Sequence, residues 1–271
     1  MKASRVLALC LAVLPLSPLI GQQTAKPQPP PAQRPATGTL DLSFGPTASN
    51  PEGKAAAHKF LQALGGAAKV NAIKTMTENI VGMQQGQQVD AEDSVAYPDK
   101  QWQKLKSARG TVILVVTHTD AFAIENGQLR NLSDSQKTAL DVALKHDFIN
   151  VLQHINDPKY IFVAAGHEKT RLGDSTVVDV EADGVPTRWW IGSDGKLLQE
   201  RYLDTGLTGN VQIMTYSDWK NYDGLEYPTK YELFNETGQP LLSMTLNRLQ
   251  INPALPPSLF ERPTGRLLPE Q

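Results

Sequence analysis

Cysteine is nearly missing from this chain. Cys10 is the single one in 271 residues, which excludes an internal disulfide framework and any cysteine-built metal site. Net charge is nearly missing too: 26 Lys and Arg against 28 Asp and Glu leave −2. A broad nucleic-acid footprint needs clustered positive charge, so that class is set aside. The five histidines (His58, His118, His146, His154 and His167) show no metal-ligand spacing. His146 and His154, eight residues apart on one helical stretch, are too distant to share an ion. A glycine-rich phosphate loop is also lacking.

Three fragments of catalytic or metal motifs occur, and each fails on its missing partners. Asp179-x-Glu181-x-Asp183-Gly184 begins like a calcium loop, but its twelfth position is Trp190, where a bidentate Glu is needed. His167-Glu168 begins like a zinc-protease helix, yet position 171 is Arg and the segment alternates like a strand. Ser217-Asp218-Trp219-Lys220 matches Ser-x-x-Lys without its companion Ser-Asp-Asn and Lys-Thr-Gly elements. Triads are assembled in space, so a hydrolase stays open as a third-rank reading. Neither a cofactor nor a metal is expected.

What the chain does have is 40% hydrophobic residues and a sharp change of character along its length. Lys2 and Arg5 precede the apolar run Val6–Ile20, followed by Gly21-Gln22-Gln23. That pattern predicts a secretory signal peptide over 1–21. Pro15 and Pro18 interrupt the run, and a membrane span takes ~20 apolar residues. Cys10 lies inside this run behind bulky Leu9, where a lipidation signal would place a small residue. Without the leader, 24 positive charges face 28 negative ones. Residues 22–49 follow as a proline-rich linker, with Pro27, Pro29, Pro30, Pro31 and Pro35 favouring extended chain over a packed core.

The body is expected over 50–263, with 264–271 as a tail. Asn50-Pro51-Glu52 predicts a helix start: a capping side chain, a proline at the first position and an acid in the first turn. Phe60, Leu61 and Leu64 form its buried side, and Gly65-Gly66 ends it. From Thr75 the period becomes two, with Met76, Glu78, Ile80 and Gly82 on one face. Further strands are predicted near 88–97, 100–108, 111–117 and 120–125. The connections are too short for crossover helices, so the arrangement is an antiparallel meander. Ser133 with Gln136 forms a capping box. It opens a helical stretch to Ile155 whose apolar face carries Leu140, Leu144, Phe148 and Leu152. Strands resume at 160–166, 168–173, 175–182, 186–192, 196–204, 210–219, 227–235 and 240–251, punctuated by Asp183-Gly184, Asp194-Gly195, Asp223-Gly224 and Thr237-Gly238. A proline-spaced extended tail follows over 252–263. The fold class is α+β: a large curled antiparallel sheet, an incomplete β-barrel of about ten or more strands, with helices covering its concave face.

Most aromatic residues fall on strands or hairpin ends. Trp189 and Trp190 are adjacent, so they point to opposite faces. Packing is the default role of each such residue.

Several segments resemble the periplasmic lipoprotein-carrier superfamily, which includes the carrier LolA, its outer-membrane acceptor LolB and outer membrane lipoprotein-sorting proteins. They are Ala63-Leu64-Gly65-Gly66 with Ile73-Lys74, Ala96-Tyr97-Pro98-Asp99-Lys100, and Trp189-Trp190-Ile191-Gly192-Ser193-Asp194-Gly195-Lys196-Leu197. To these are added Tyr216-Ser217-Asp218-Trp219, Asp223-Gly224-Leu225-Glu226-Tyr227-Pro228, and the closing Asn252-Pro253 through Phe260-Glu261. The resemblance spans about 51–263. It implies an incomplete barrel, lidded by helices, that holds acyl chains in an apolar cavity.

The expected function is therefore a non-enzyme: a monomeric periplasmic protein binding a lipid or lipoprotein acyl chain, as a carrier or chaperone in envelope traffic. Its partners would be those acyl chains and envelope membrane proteins, with no nucleic acid. The alternative is an envelope interaction or lipid-sensing regulatory module without a transport role. Strand residues of one parity would line the cavity, and the expected set is Trp102, Ile113, Phe122, Trp189, Met214, Tyr231 and Met244. Phe148 and Leu152 would form the lid. An acyl chain gains ~0.8 kcal/mol per buried CH2, so such a site needs no catalytic group.

Overall fold

A computed structural model describes residues 48–84, 86–203 and 210–263. The expected leader, nearly all of the proline-rich linker and the tail from 264 lie outside the described residues.

Helix α1 (Pro51–Ala63) begins where Asn50 Oδ1 accepts the Gly53 amide at 2.7 Å. Pro51 occupies the first position, where its missing N–H costs nothing. Gly65 and Gly66 stop it in the left-handed region, at φ 118° and 84°. Gly65 also lies directly against the Gly224 carbonyl, leaving no space for a Cβ. A short helix, α2 (Ala67–Asn71), follows.

Six strands then run as a meander: β1 (Thr75–Gln84), β2 (Gln87–Ala96), β3 (Lys100–Ser107), β4 (Gly110–Val116), β5 (Ala121–Glu125) and β6 (Gln128–Asn131). Two helices come next, α3 (Asp134–Lys145) and α4 (Phe148–Gln153). Seven more strands complete the body: β7 (Tyr160–Thr170), β8 (Gly173–Ala182), β9 (Val185–Gly192), β10 (Leu197–Leu203), β11 (Val211–Tyr222), β12 (Leu225–Asn235) and β13 (Pro240–Ile251).

All thirteen join one sheet in the order β6-β5-β4-β3-β2-β1-β13-β12-β11-β10-β9-β8-β7. Every pairing is antiparallel, and β1 against β13 joins the two meanders. Among the described residues the sheet is open, with β6 and β7 as its edges. Those two strands are also the ones that α3 and α4 connect. The chain must therefore cross from one edge to the other, and it does so over the face where α1, α3 and α4 bury their apolar sides. Side chains of one parity on the strands meet those helices in a continuous apolar core, from Met76 and Val95 through Trp189 and Met214 to Leu246.

The α+β class and the curled, helix-covered sheet agree with the sequence reading, and several boundaries differ. The thirteen strands among the described residues fit the expected ten or more. The segments expected at 160–166 and 168–173 are one strand, β7, bulged between Ala164 and Gly166. Strand β6, wholly exposed along Gln128–Asn131, has no apolar alternation to betray it. The single helical stretch expected over 133–155 divides at His146-Asp147. There the buried Asp147 carboxylate accepts the amides of Ile149 at 2.8 Å and Asn150 at 3.0 Å, starting a new helix.

A second apolar cluster lies on the opposite face. Val115 and Phe122 pack with Phe260, flanked by Trp102, Ile113, Ile124, Leu255 and Leu259. The 252–263 segment, with a 3-10 turn at Pro257–Phe260, forms its cover. Arg262 at its end donates to Asp120 Oδ2 at 2.9 Å and Oδ1 at 2.7 Å while its guanidinium sits 4.9 Å from the Phe122 ring centre.

Candidate functional site

One side chain of the covering helices stands at the centre of the aromatic cluster on the face they cover. Phe148, the first residue of α4, is fully buried. Its ring centre lies 5.4 Å from Phe60 of α1, 6.1 Å from Tyr216 of β11 and 5.7 Å from Tyr227 of β12. Phe60 continues the cluster to Trp189 at 5.7 Å, edge-on. Tyr216 continues it to Tyr231 at 6.0 Å. Phe148 thus stands where two helices and the sheet converge. Gln153, at the other end of α4, donates to the carbonyls of Val70 at 2.9 Å and Ile73 at 2.8 Å. That anchors α4 to the α2 region.

The interior is not uniformly apolar. On β10, the buried carboxylate of Glu200 accepts the Tyr216 hydroxyl at 2.7 Å and the Trp189 indole N–H at 3.4 Å. His146, the C-cap of α3, places Nδ1 3.1 Å from Glu200 Oε1. Burial works to push the Glu200 carboxyl up. The charge and hydrogen bond of His146, with the Tyr216 hydroxyl, outweigh it and hold the group below its ordinary value. His146 also stacks on Tyr202, ring centres 4.8 Å apart. A buried acid–base pair therefore ties the helical lid to the sheet.

A second polar group occupies the first meander. Glu78, Asp93 and Gln103 are directly opposite one another across β1, β2 and β3, and all three are fully buried. They share the face of Met76, Ile80, Val95 and Leu105, which belong to the main core. Gln101 donates Nε2 to Asp93 Oδ1 at 3.0 Å. Neither amide atom of Gln103, nor the Tyr227 hydroxyl, has a hydrogen-bond partner among the described residues. A buried polar group left unsatisfied costs about 1–3 kcal/mol. Burial first, and the Glu78 charge second, raise the Tyr227 and Tyr231 phenols well above their ordinary value.

The nine residues expected to line the cavity separate by face. Phe148, Leu152, Trp189, Met214, Tyr231 and Met244 all belong to the main core under the helices. Trp102, Ile113 and Phe122 lie on the outer face, beneath the tail segment. On those strands the inner positions are Gln101, Gln103, Leu105, Val112, Leu114, Ala121 and Ala123. Alternation separates the two faces of a strand but does not say which is concave, and the larger aromatic residues happen to lie outside. Trp190 is likewise outside and buried, its indole N–H donating to Glu168 Oε2 at 2.8 Å.

The sequence reading did not single out His146, Glu200 or the Glu78 row as site residues. A signal for the last was present, since Glu78 alternates in phase with Met76 and Ile80. Glu200 had none, because its partner is 54 positions away. Among the described residues, no group of three or more His, Cys, Asp or Glu could hold a metal ion. No described helix is long and apolar enough to cross a membrane. A cavity of about 420 Å³ opens at the start of α1, bordered by Ser49, Asn50, Lys54, Asp157 and Tyr160.

No protein-family model matches the chain. No curated protein matches it either. Its architecture does match solved structures. An outer membrane lipoprotein-sorting protein domain from Vibrio parahaemolyticus superposes with a TM-score of 0.50 at 11% identity, over 77% of this chain and 96% of that one. A LolA superfamily protein from Nitrosomonas europaea superposes with a TM-score of 0.50 at 12% identity, over 76% and 97%. At such identities the likeness concerns the fold, which is LolA-like.

Proposed function

We propose that this protein binds a lipid or lipoprotein acyl chain between the concave sheet face and α4, as a carrier or chaperone in envelope traffic. In this reading it is exported to the periplasm by the leader at 1–21. The observation that carries it is the position of Phe148, a single apolar side chain from a short helix packed among the rings of Phe60, Tyr216 and Tyr227. The LolA-like fold supports it. In this reading a guest chain would take the place that the Phe148 ring fills among Phe60, Tyr216 and Tyr227.

Magnitudes favour exchange. Burying a dozen methylenes stabilises by about 10 kcal/mol. Withdrawing one fully buried Phe from its site forfeits roughly 3–5 kcal/mol on the scale of truncating it. A chain that displaces only Phe148 wins that competition. One that had to expose the whole apolar side of α4, four side chains at roughly 1.5–3 kcal/mol each, would about break even. The lid is thus expected to swing rather than unfold, with the Gln153 end as its hinge.

The direct test uses delipidated, purified protein mixed with phospholipid or a lipoprotein and examined by native mass spectrometry, with Trp189 emission followed in parallel. Retained lipid and altered emission are expected. A protein that retains no acylated molecule at any lipid concentration would overturn the reading.

A further inference from the structure

Strand β3 carries two glutamines on the face that the helices cover. Gln101 and Gln103 are two positions apart, hence on one side of the strand, directly opposite Val116 and Leu114 of β4. Those two neighbours, with Val95 and Leu105, belong to the main apolar core, and α3 packs against β4. Both glutamines are buried. Gln101 donates Nε2 to Asp93 Oδ1 at 3.0 Å, while its Oε1 has no hydrogen-bond partner among the described residues. Gln103 has none at either end of its amide.

Buried amides in native proteins are nearly always hydrogen-bonded, and leaving one unpaired is destabilising. Leucine would fill position 103 without that penalty. Two amides held this way in an apolar chamber point to a partner from outside the chain. The open atoms define its chemistry: two carbonyl-type oxygens that accept and one NH2 that donates. None of them is charged, and the neighbouring Asp93 carboxylate already accepts from Gln101. An ionic head would exchange its hydration here for dipoles alone.

We propose that Gln101 and Gln103 form a seat for the uncharged head of an amphiphile, one that both donates and accepts hydrogen bonds. Its hydrocarbon chain runs beneath α3 and α4 toward Phe148. A hydroxyl and a primary amide both have that chemistry. The inference rests on the acyl-chain reading above and deepens it by naming the head group. Strand β3 stands four strand spacings from β12, where Tyr227 meets Phe148, or roughly 19 Å along the sheet. One acyl chain spans a distance of that order.

The test uses pairs of probes that share a chain and differ in whether the head carries donors. Monolauroylglycerol is paired with methyl laurate, and lauramide with N,N-dimethyl lauramide, each titrated below its micelle concentration into delipidated full-length protein. The wild type is expected to bind the donor-bearing member of each pair about tenfold more tightly, the difference made by one or two buried hydrogen bonds. A preference confined to the first pair also supports the seat, with a hydroxyl head as the source. One confined to the second pair supports it with an amide head. Gln103→Leu should bring the ratio close to one and, by removing an unpaired amide, raise the melting temperature of the ligand-free protein. Gln103→Met, unbranched and of similar length, repeats the test if the leucine variant fails to fold by circular dichroism. Equal affinities in both pairs would mean that water alone serves these amides. That result, a ratio unchanged in the folded variants, or dodecylammonium bound as tightly as lauramide would overturn the seat while leaving acyl-chain binding intact. Binding of no probe at all would overturn both.

Discussion

His146 Nδ1 and Glu200 Oε1 are 3.1 Å apart with both side chains sealed from solvent, joining the end of α3 to the centre of β10. Removing one partner of a buried pair leaves an uncompensated group and costs about 3–5 kcal/mol. His146→Ala is expected to lose that much in urea denaturation. Replacing both residues by apolar ones should cost less than the single changes combined. A loss below about 1 kcal/mol in either single variant would show that the pair does not hold the lid.

The same carboxylate sets an acid limit on stability. The folded protein holds Glu200 below its ordinary value of 4.5, despite its burial. Its contribution is therefore fully present above pH 4.5 and is lost as pH falls through the lower folded value. Stability measured across this window should fall more steeply in the wild type than in Glu200→Gln. Parallel curves would refute the assignment.

Phe148→Ala separates plug from core. Truncating a fully buried Phe costs about 3–5 kcal/mol in an ordinary core. If the side chain holds a guest's place, the variant should lose that stability and also take up an apolar fluorescent dye or lauroyl lipid more tightly than wild type. Lost stability with no gain in uptake would identify Phe148 as plain packing.

Gly53→Ala is expected to act against helix propensity. In an open helix this change stabilises by roughly 0.5–1 kcal/mol. Here a Cβ would run into the Phe162 carbonyl of edge strand β7 and come within 2.8 Å of the Ala164 amide. The Asn50 amide donates to that same Phe162 carbonyl at 3.1 Å, and Asn50 Oδ1 accepts from Ala164 N at 3.1 Å. The missing side chain lets α1 lie directly against this edge. A lower melting temperature is the expected outcome, and an unchanged or higher one would contradict the close approach.

The outer tail offers a contrast between charge and burial. Arg262 and Asp120 are about one-third exposed, so their pairing is worth ~1 kcal/mol or less. Phe260, nearly buried against Val115 and Phe122, should dominate. Arg262→Ala is expected to cost under about 1 kcal/mol and Phe260→Ala clearly more, with Trp102 fluorescence shifting toward that of an exposed indole in the latter. The reverse order would mean that the ion pair, not the apolar contact, fastens the tail.

Local pattern determined much of this protein. The Asn50-Pro51 cap, the Ser133–Gln136 capping box, the two-residue alternation from Thr75 and the glycine-bearing hairpin turns all encode their own geometry. Interactions within a few residues decide them, so an antiparallel sheet with few helices was legible from the sequence. Which face of that sheet is concave was decided only by tertiary structure. Trp102 and Phe122 read as lining residues, and lie outside, because the tail residues that cover them follow more than 130 positions later. The edge-to-edge course of α3 and α4 depends on β1 pairing with β13, the first strand with the last. His146 meets Glu200 54 positions on in the chain, whereas Glu78, Asp93 and Gln103 face one another across the consecutive hairpins of β1–β3. Periodicity carries no information about contacts between distant segments, which is why the His146–Glu200 pair became visible only once the sheet had assembled.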